Sequence, residues 1–381
     1  MPPAAPTDED RLYNRIFWKI VPFLLLCYVI AYLDRVNVGF AKLEMAGDLN
    51  FSETVYGLGA GIFFIGYFLF EVPSNLILQR VGARLWLTRI MVTWGLVSAL
   101  FAFVRTPAIF YLLRFLLGVA EAGFFPGVIL YLTYWFPSHR RARIVAIFMT
   151  GIPLSGILGN PLSGWIMDRF HDVLGLRGWQ WLFVIEAVPA VIVGIVLYHY
   201  LGDGPGTAVW LSAEEKQLIE RNRDGQHPGD AAVHSVAAVF SDRRVWHMCL
   251  IYFSFVMGLY GLTFWMPTLV TAAGVVGGLR TGLISAIPYL FAVIVMVLLG
   301  RSADRRRERR WHLVVPALVG CVGFVVAALA AKNAAVAITF LSVAAGGVMS
   351  CVPLFWSLPT SFLRGAGAAA GIAVINSVGN L

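Results

Sequence analysis

The stretch 18–39, WKIVPFLLLCYVIAYLDRVNVG, is an apolar run with an acid and a base, Asp34 and Arg35, side by side near its end. At about 1.5 Å of rise per residue it is long enough to cross the hydrocarbon of a bilayer. A charge at the middle of a spanning helix costs about 2.5–3.5 kcal/mol even on lenient insertion scales, so such residues face partners, water or a substrate path. The same conflict recurs in 108–134, where Arg114 and Glu121 interrupt a second long apolar run. Two charged pairs inside spanning segments point to a transport-type membrane protein.

Outward from the first run, apolar runs of similar length follow at 55–75, 85–104, 108–134, 144–166, 180–201, 246–272, 280–299, 312–331, 334–357 and 366–381, and these make eleven with the first. Hydrophobic residues are 59% of the chain and charged residues 13%, with a mean hydropathy of +0.76, so lipid is the solvent. The first run is longer than a signal peptide's apolar region and carries Asp34 and Arg35, so it is expected to stay as a helix. Cys27, Cys249, Cys321 and Cys351 lie singly in apolar runs and read as packing residues, with no disulfide framework or metal site.

The net charge of +8 is a matter of topology. When loops are assigned to alternate sides from an inside N-terminus, 21 Lys and Arg residues fall inside and 6 outside. The positive-inside rule then puts the N-terminus in the cytoplasm and removes nucleic acid as a partner. No Walker loop, HExxH or nucleophile elbow occurs, so an enzyme reading has no support.

One long polar connection, 202–245, splits the chain into six spans (1–201) and five (246–381). Within it Ser212 and Glu215 fit a capping box, which predicts a short surface helix over 214–222. Basic clusters follow the second span of each half, around Arg80 and Arg84 and around Arg301 to Arg310. Such an echo fits parallel six-span repeats with a substrate site between the halves near mid-membrane.

At this point the sequence resembles the major facilitator superfamily, and within it the anion:cation symporter group of phthalate, tartrate, hexuronate, galactonate and hydroxyphenylacetate permeases. The resemblance rests on YLDRVNVGFA (32–41), EVPSN (71–75), RFLLGVAEAGFFP (114–126), YWFPSHRRAR (134–143), GNPLSGW (159–165) and FWSLPT (355–360), together with DGPGTAVWLSAEEK (203–216) in the linker. It implies an all-α membrane protein of two pseudo-symmetric six-helix bundles, here cut short in the eleventh helix, with the twelfth absent. Gln180 stands between Trp179 and Trp181 where the family has Arg, and the seventh span lacks the arginine expected of glutamate-type members.

The residues themselves carry part of the chemistry. Helical spacing puts Tyr28, Tyr32 and Arg35 on one face of the first span, and a guanidinium beside phenols is a carboxylate site. Asp34 falls on the neighbouring face with Ile30 and Asn37. Arg114 and Glu121 lie two turns apart on one face, with Gly118 between them. Asp34 and Glu121 are the expected proton carriers, with Arg114 holding the carboxylates ionised; the alternative for each pair is a static salt bridge.

The resemblance adds Tyr67, Tyr260, Trp356, Ser357 and Asn376 as substrate contacts. It adds Glu71, Arg80, Arg84, Asp304 and Arg305 as elements of a cytoplasmic gate. Glu186, beside Pro189 in the sixth span, reads as structural. The expectation is a proton symporter of a small organic carboxylate, monomeric, without cofactor or metal, in the cell's inner membrane. A transporter-like ligand sensor and a truncated fragment unable to transport are the alternatives. Tartrate-like hydroxy acids and aromatic acids both fit.

Overall fold

The computed structural model describes residues 8–224, 241–306, 308–330, 332–356, 358–359 and 365–381. Fourteen α-helices form among them. In the first half they are α1 (Asp8–Asp48), α2 (Glu53–Val81), α3 (Ala83–Leu100), α4 (Pro107–Glu121), α5 (Phe124–Trp135), α6 (Ser138–Met149), α7 (Gly151–Arg169) and α8 (Gly178–Tyr200). The linker carries α9 (Ala213–Asp224). The second half has α10 (Arg243–Ala272), α11 (Gly278–Arg306), α12 (Arg310–Leu329), α13 (Ala334–Trp356) and α14 (Gly365–Gly379).

Among the described residues, ten helical segments are long and apolar enough to cross a membrane, with α4–α5 and α6–α7 each counting as one. The eleventh run of the sequence is the 15-residue α14. Large apolar side chains such as Leu250, Met257, Leu298 and Leu318 are exposed on the outer faces, while Asp34, Glu71, Arg114, Glu121 and Glu186 are buried within. That inverts the pattern of a water-soluble core and suits a hydrocarbon solvent.

Within the first half α3 lies on α8, α2 on α4, and α1 on α7 and α8; within the second, α12 and α11 lie on α13, and α10 on α14. The halves meet mainly through α7 on α11, with α1 on α10 and α2 on α14 beside it. Small residues set that approach. A Cβ on Gly164 would run into the backbone of Gly278, and one on Gly282 into the backbone carbonyl of Asn160. At the end of this seam Asp168 caps α11, accepting the backbone N–H groups of Gly278 at 2.9 Å and Leu279 at 2.7 Å.

The first part of the linker is strapped to the first half. Tyr131 donates to the carbonyl of Gly202, Asp203 accepts the backbone N–H of Arg84 at 3.0 Å, and Trp210 stacks on Trp135 with centroids 5.6 Å apart. Ser212 and Glu215 exchange both capping-box bonds, and Arg15 reaches Glu215 at 2.5 Å. The backbone N–H of Ser212, with Arg15 behind it, holds the Glu215 carboxyl below its ordinary range. One sequence expectation changes here, since Cys321 is exposed rather than packed. Trp179 is buried, giving its indole N–H to Asp48 at 2.8 Å.

The α2–α4 contact is equally tight, because a Cβ on Gly118 would collide with the backbone carbonyl of Phe63. Backbone cannot yield as a side chain can. Gly118→Ala is therefore expected to destabilise the protein by about 1–3 kcal/mol, read as a lower melting temperature in detergent, while Gly61→Ala, with open space at its Cβ position, leaves it unchanged.

Candidate functional site

Arg35 projects from the middle of α1 to the point where α1, α2, α4 and α10 converge. Its Nη2 meets Glu121 Oε2 at 2.8 Å and its Nε meets the same oxygen at 3.3 Å. Its Nη1 donates to the Tyr260 hydroxyl at 2.9 Å. The rings of Tyr32, Phe63, Tyr67 and Tyr260 surround it, with centroids 4.6–5.9 Å from the guanidinium carbon. Arg35 is 8% exposed and Glu121 1%.

Glu121 is the last residue of α4, and the span breaks directly after it. Pro126 has no N–H to offer the carbonyl of Ala122 four residues back. Ser74 supplies the missing donor, its hydroxyl reaching that carbonyl at 2.6 Å while accepting the indole N–H of Trp86 at 2.9 Å. Gly123 takes φ +86° to restart the chain as α5, and a Cβ there would strike Ser74. Irregular backbone at this depth is tolerated where it lines a cavity.

Such a cavity adjoins it, about 370 Å³ of atom-free space including the part open to solvent. α1 contributes Tyr28, Tyr32 and Arg35, α2 Tyr67, α4 Glu121, α5 Phe124 and Phe125, α10 Tyr252, and the end of α14 Asn376 and Asn380. A hydrogen-bond chain crosses between the halves here. Tyr260 donates to Asn380 at 3.1 Å, Asn380 to the carbonyl of Asn376 at 2.7 Å, and Asn376 to Glu71 Oε1 at 2.5 Å, with Ser377 on the other Glu71 oxygen at 2.6 Å.

The structure thus brings Tyr32, Arg35, Tyr67, Tyr260, Asn376 and Glu121 together. Trp356 stands behind the cavity wall, its ring 5.0 Å from Tyr252 and 6.0 Å from Phe125. Ser357 lies outside the described residues. Asn380, Tyr252 and the α5 aromatics escaped the sequence reading. Asn380 follows Asn376 by one helical turn and Tyr252 precedes Tyr260 by two, so the periodicity held a usable signal.

Several expectations need correction. Arg114 does not hold the acids: its Nε donates to the carbonyl of Gly59 at 2.9 Å and its Nη2 reaches that of Ala60 at 3.5 Å. Seven residues of helix separate it from Glu121 by about 10 Å, and α2 offers nearer acceptors. Asp34, by contrast, lies where helical spacing put it, about 100° round from Arg35, beside Asn37 at 3.2 Å and accepting the Ser98 hydroxyl of α3 at 2.7 Å.

Nor does a charged gate form among the described residues. Glu71 is fully buried and held by neutral donors. Arg84 lies over the ring of Tyr198 at 4.3 Å, and Asp304 has Arg309 at 3.9 Å, each within its own half. Arg80 and Arg305 are exposed. Gln180 is not an idle replacement, since it accepts from the backbone of Arg177 at 2.8 Å and donates to the carbonyl of Ala102 at 2.6 Å.

Comparison with known proteins agrees with this architecture. Residues 24–381 match the model of the Major Facilitator Superfamily. The "Putative metabolite transport protein NicT" of Pseudomonas putida is 50% identical over 97% of this chain and 85% of its own length. A "Putative tartrate transporter" of Agrobacterium vitis is 51% identical over 98% of this chain and 83% of its own. The proton:xylose symporter XylE, 16% identical, superposes with a TM-score of 0.76 over 96% of this chain and 86% of its own. The chain belongs to the major facilitator superfamily: it is a multi-pass membrane transporter of that fold, and not an enzyme.

The helix break yields a prediction. Ser74→Ala leaves the Ala122 carbonyl and the Trp86 indole N–H buried without their partner and is expected to cost roughly 1–3 kcal/mol. Thermal unfolding of the variant beside Ser74→Thr, which keeps a hydroxyl, checks it; equal melting temperatures for Ser74→Ala and wild type would contradict it.

Proposed function

We propose that this major facilitator protein takes up a small organic carboxylate together with protons, by alternating access in the inner membrane, with its N-terminus in the cytoplasm. The observation that carries the reading is the Arg35 guanidinium, wrapped in aromatic rings and held by one carboxylate and one phenol from two other helices, at the edge of a cavity shared by both halves. Arg presents a planar fork that fits a carboxylate with two parallel bonds. The tartrate in the Agrobacterium relative's name is itself a carboxylate.

The arrangement suggests how the anion and the proton are linked. An incoming carboxylate competes with Glu121 for Arg35. Glu121, losing its counter-charge in an apolar surround, takes a proton from water. When each substrate carboxylate is matched by one proton, the loaded site carries no more charge than the empty one. Protons also solve a problem of potential, since a negative interior opposes an entering anion by about 2.3 kcal/mol per charge per 100 mV. Residues 1–201 and 246–381 act as the two rocking bodies in this reading, joined by 202–245, within a single monomer.

Uptake of radiolabelled L-tartrate and benzoate into proteoliposomes, with the outside acidified, tests this. Wild type is expected to accumulate at least one of them, and Glu121→Gln to lose accumulation driven by the pH gradient. Arg35→Lys, which keeps the charge but not the fork, is expected to raise the half-saturating concentration about tenfold or more, about 1.4 kcal/mol. Stabilisation of the purified protein by neutral or cationic solutes alone, with no response to carboxylates, would sink the anion assignment.

A further inference from the structure

The interior of the first half holds a second acid pocket on the far side of α1 from Arg35. Glu186, midway along α8, is 2% exposed; its Oε1 accepts the Ser163 hydroxyl of α7 at 2.7 Å, and its Oε2 has no hydrogen-bond partner. Asp34 is equally buried, its Oδ1 taking Ser98 of α3 at 2.7 Å and Asn37 at 3.2 Å, while its Oδ2 has none. Glu186 lies within electrostatic reach of Asp34 and interacts with Asn37. The Asn37 amide oxygen, fully buried, is unpartnered too. So is the fully buried indole N–H of Trp94, which turns to Asp34 without reaching hydrogen-bond geometry.

No cation forms an ion pair or hydrogen bond with either acid among the described residues. Arg35 is engaged by Glu121, and Arg114 by backbone carbonyls. The groups facing Glu186 are Asp34 and Asn37 from α1 and Ser163 from α7, while Ser98 and Trp94 of α3 face Asp34. Two further charges act on Asp34 through space, the negative one of Glu121 and the positive one of Arg114. Two ionised carboxylates without a directly paired cation in an apolar interior cost several kcal/mol each, and close like charges do not both ionise. An orphaned buried oxygen adds to that cost. One proton relieves both problems, because it removes a charge and creates an O–H donor for a bare oxygen, as in acid pairs that share a proton.

We propose that Asp34, Asn37 and Glu186 form a proton-holding site separate from the Arg35–Glu121 site, with Glu186 as its second acid. The proton arrives from water, binds a carboxyl oxygen and leaves to water unchanged. Glu186 thereby takes a functional role in place of a purely structural one. Its part in transport rests on the proton-coupled reading above, while the site itself does not. Asp34 and Arg35 are consecutive, so the proton site and the anion site lie on two sides of one helix. A turn of α1 on anion capture moves Asp34 relative to Glu186.

Infrared difference spectroscopy of the purified full chain in lipid, in H2O and D2O at neutral pH, tests the site without any substrate. Wild type is expected to show a protonated-carboxyl stretch that shifts in D2O. The part of the band that remains in Glu71→Gln should be lost or shifted in both Glu186→Gln and Asp34→Asn and stay unchanged in Glu121→Gln. Ser163→Ala, which keeps both acids, should shift the band without removing it, and it serves if an acid variant fails to fold. In the proteoliposome assay one imposed pH unit is worth about tenfold accumulation per coupled proton, and Glu186→Gln should lose that factor. A wild type without the band, or a band that keeps its position and intensity in both acid variants, overturns the proposal, whereas uptake driven by a sodium gradient in place of protons overturns the proton-coupled reading alone. The expected infrared pattern without exchange of tartrate or benzoate would uphold the proton site and refute the anion reading instead.

Discussion

A guanidinium does not give up its charge inside a bilayer, and the centre of this protein is organised by that fact. Arg35 could be buried only if another element delivered an acceptor to it, and α4 does so by ending on Glu121. It also needed a second acceptor, which comes from the other half as the Tyr260 hydroxyl. A single charge therefore fixes where three helices meet and draws the two halves into one site. Carboxyl groups are under a weaker constraint, since each can take a proton, and Asp34 and Glu186 sit where, among the described residues, no base pairs with them.

The rigidity that such a site needs comes from the backbone. The span carrying Glu121 is interrupted at the acid by Gly123 and Pro126, and Ser74 of the neighbouring helix satisfies the carbonyl that the proline leaves open. The acid thus stands on a fixed terminus, braced through Trp86 of α3. On either side, glycines bring helix backbones together where any side chain would hold them apart.

Much of this was legible beforehand. Run lengths mark the spans, and two charged pairs in apolar surroundings mark the centre. The meeting of Arg35 with Glu121 follows from the scarcity of partners in hydrocarbon. Other features lay beyond the pattern. Helical spacing sets Arg35 with Tyr28 and Tyr32 and puts Asp34 on the next face with Asn37, but nothing in it announces that Glu186 of a distant helix meets that face. Arg114 was matched to acids because acids are what a sequence displays, whereas its partners are the peptide carbonyls of Gly59 and Ala60, which no residue type announces. The gate failed for a similar reason: Glu71 is answered by Asn376 and Ser377, neutral residues of a distant helix. The break after Glu121 was readable in principle, since a glycine followed three residues later by proline is a helix-breaking signal.

The capping of α11 by Asp168 has a consequence for how the halves of such proteins are recognised. One partner in that contact is a side chain and the other is a pair of peptide N–H groups, which residue 279 offers whatever its side chain, proline excepted. At 278 a Cβ would strike Asp168 Oδ1 and the carbonyl of Gly164, so the joint holds only with glycine there. Methods that find contacts from correlated substitutions are blind to such a joint, and its trace in an alignment would be an acidic position and a glycine that do not vary together.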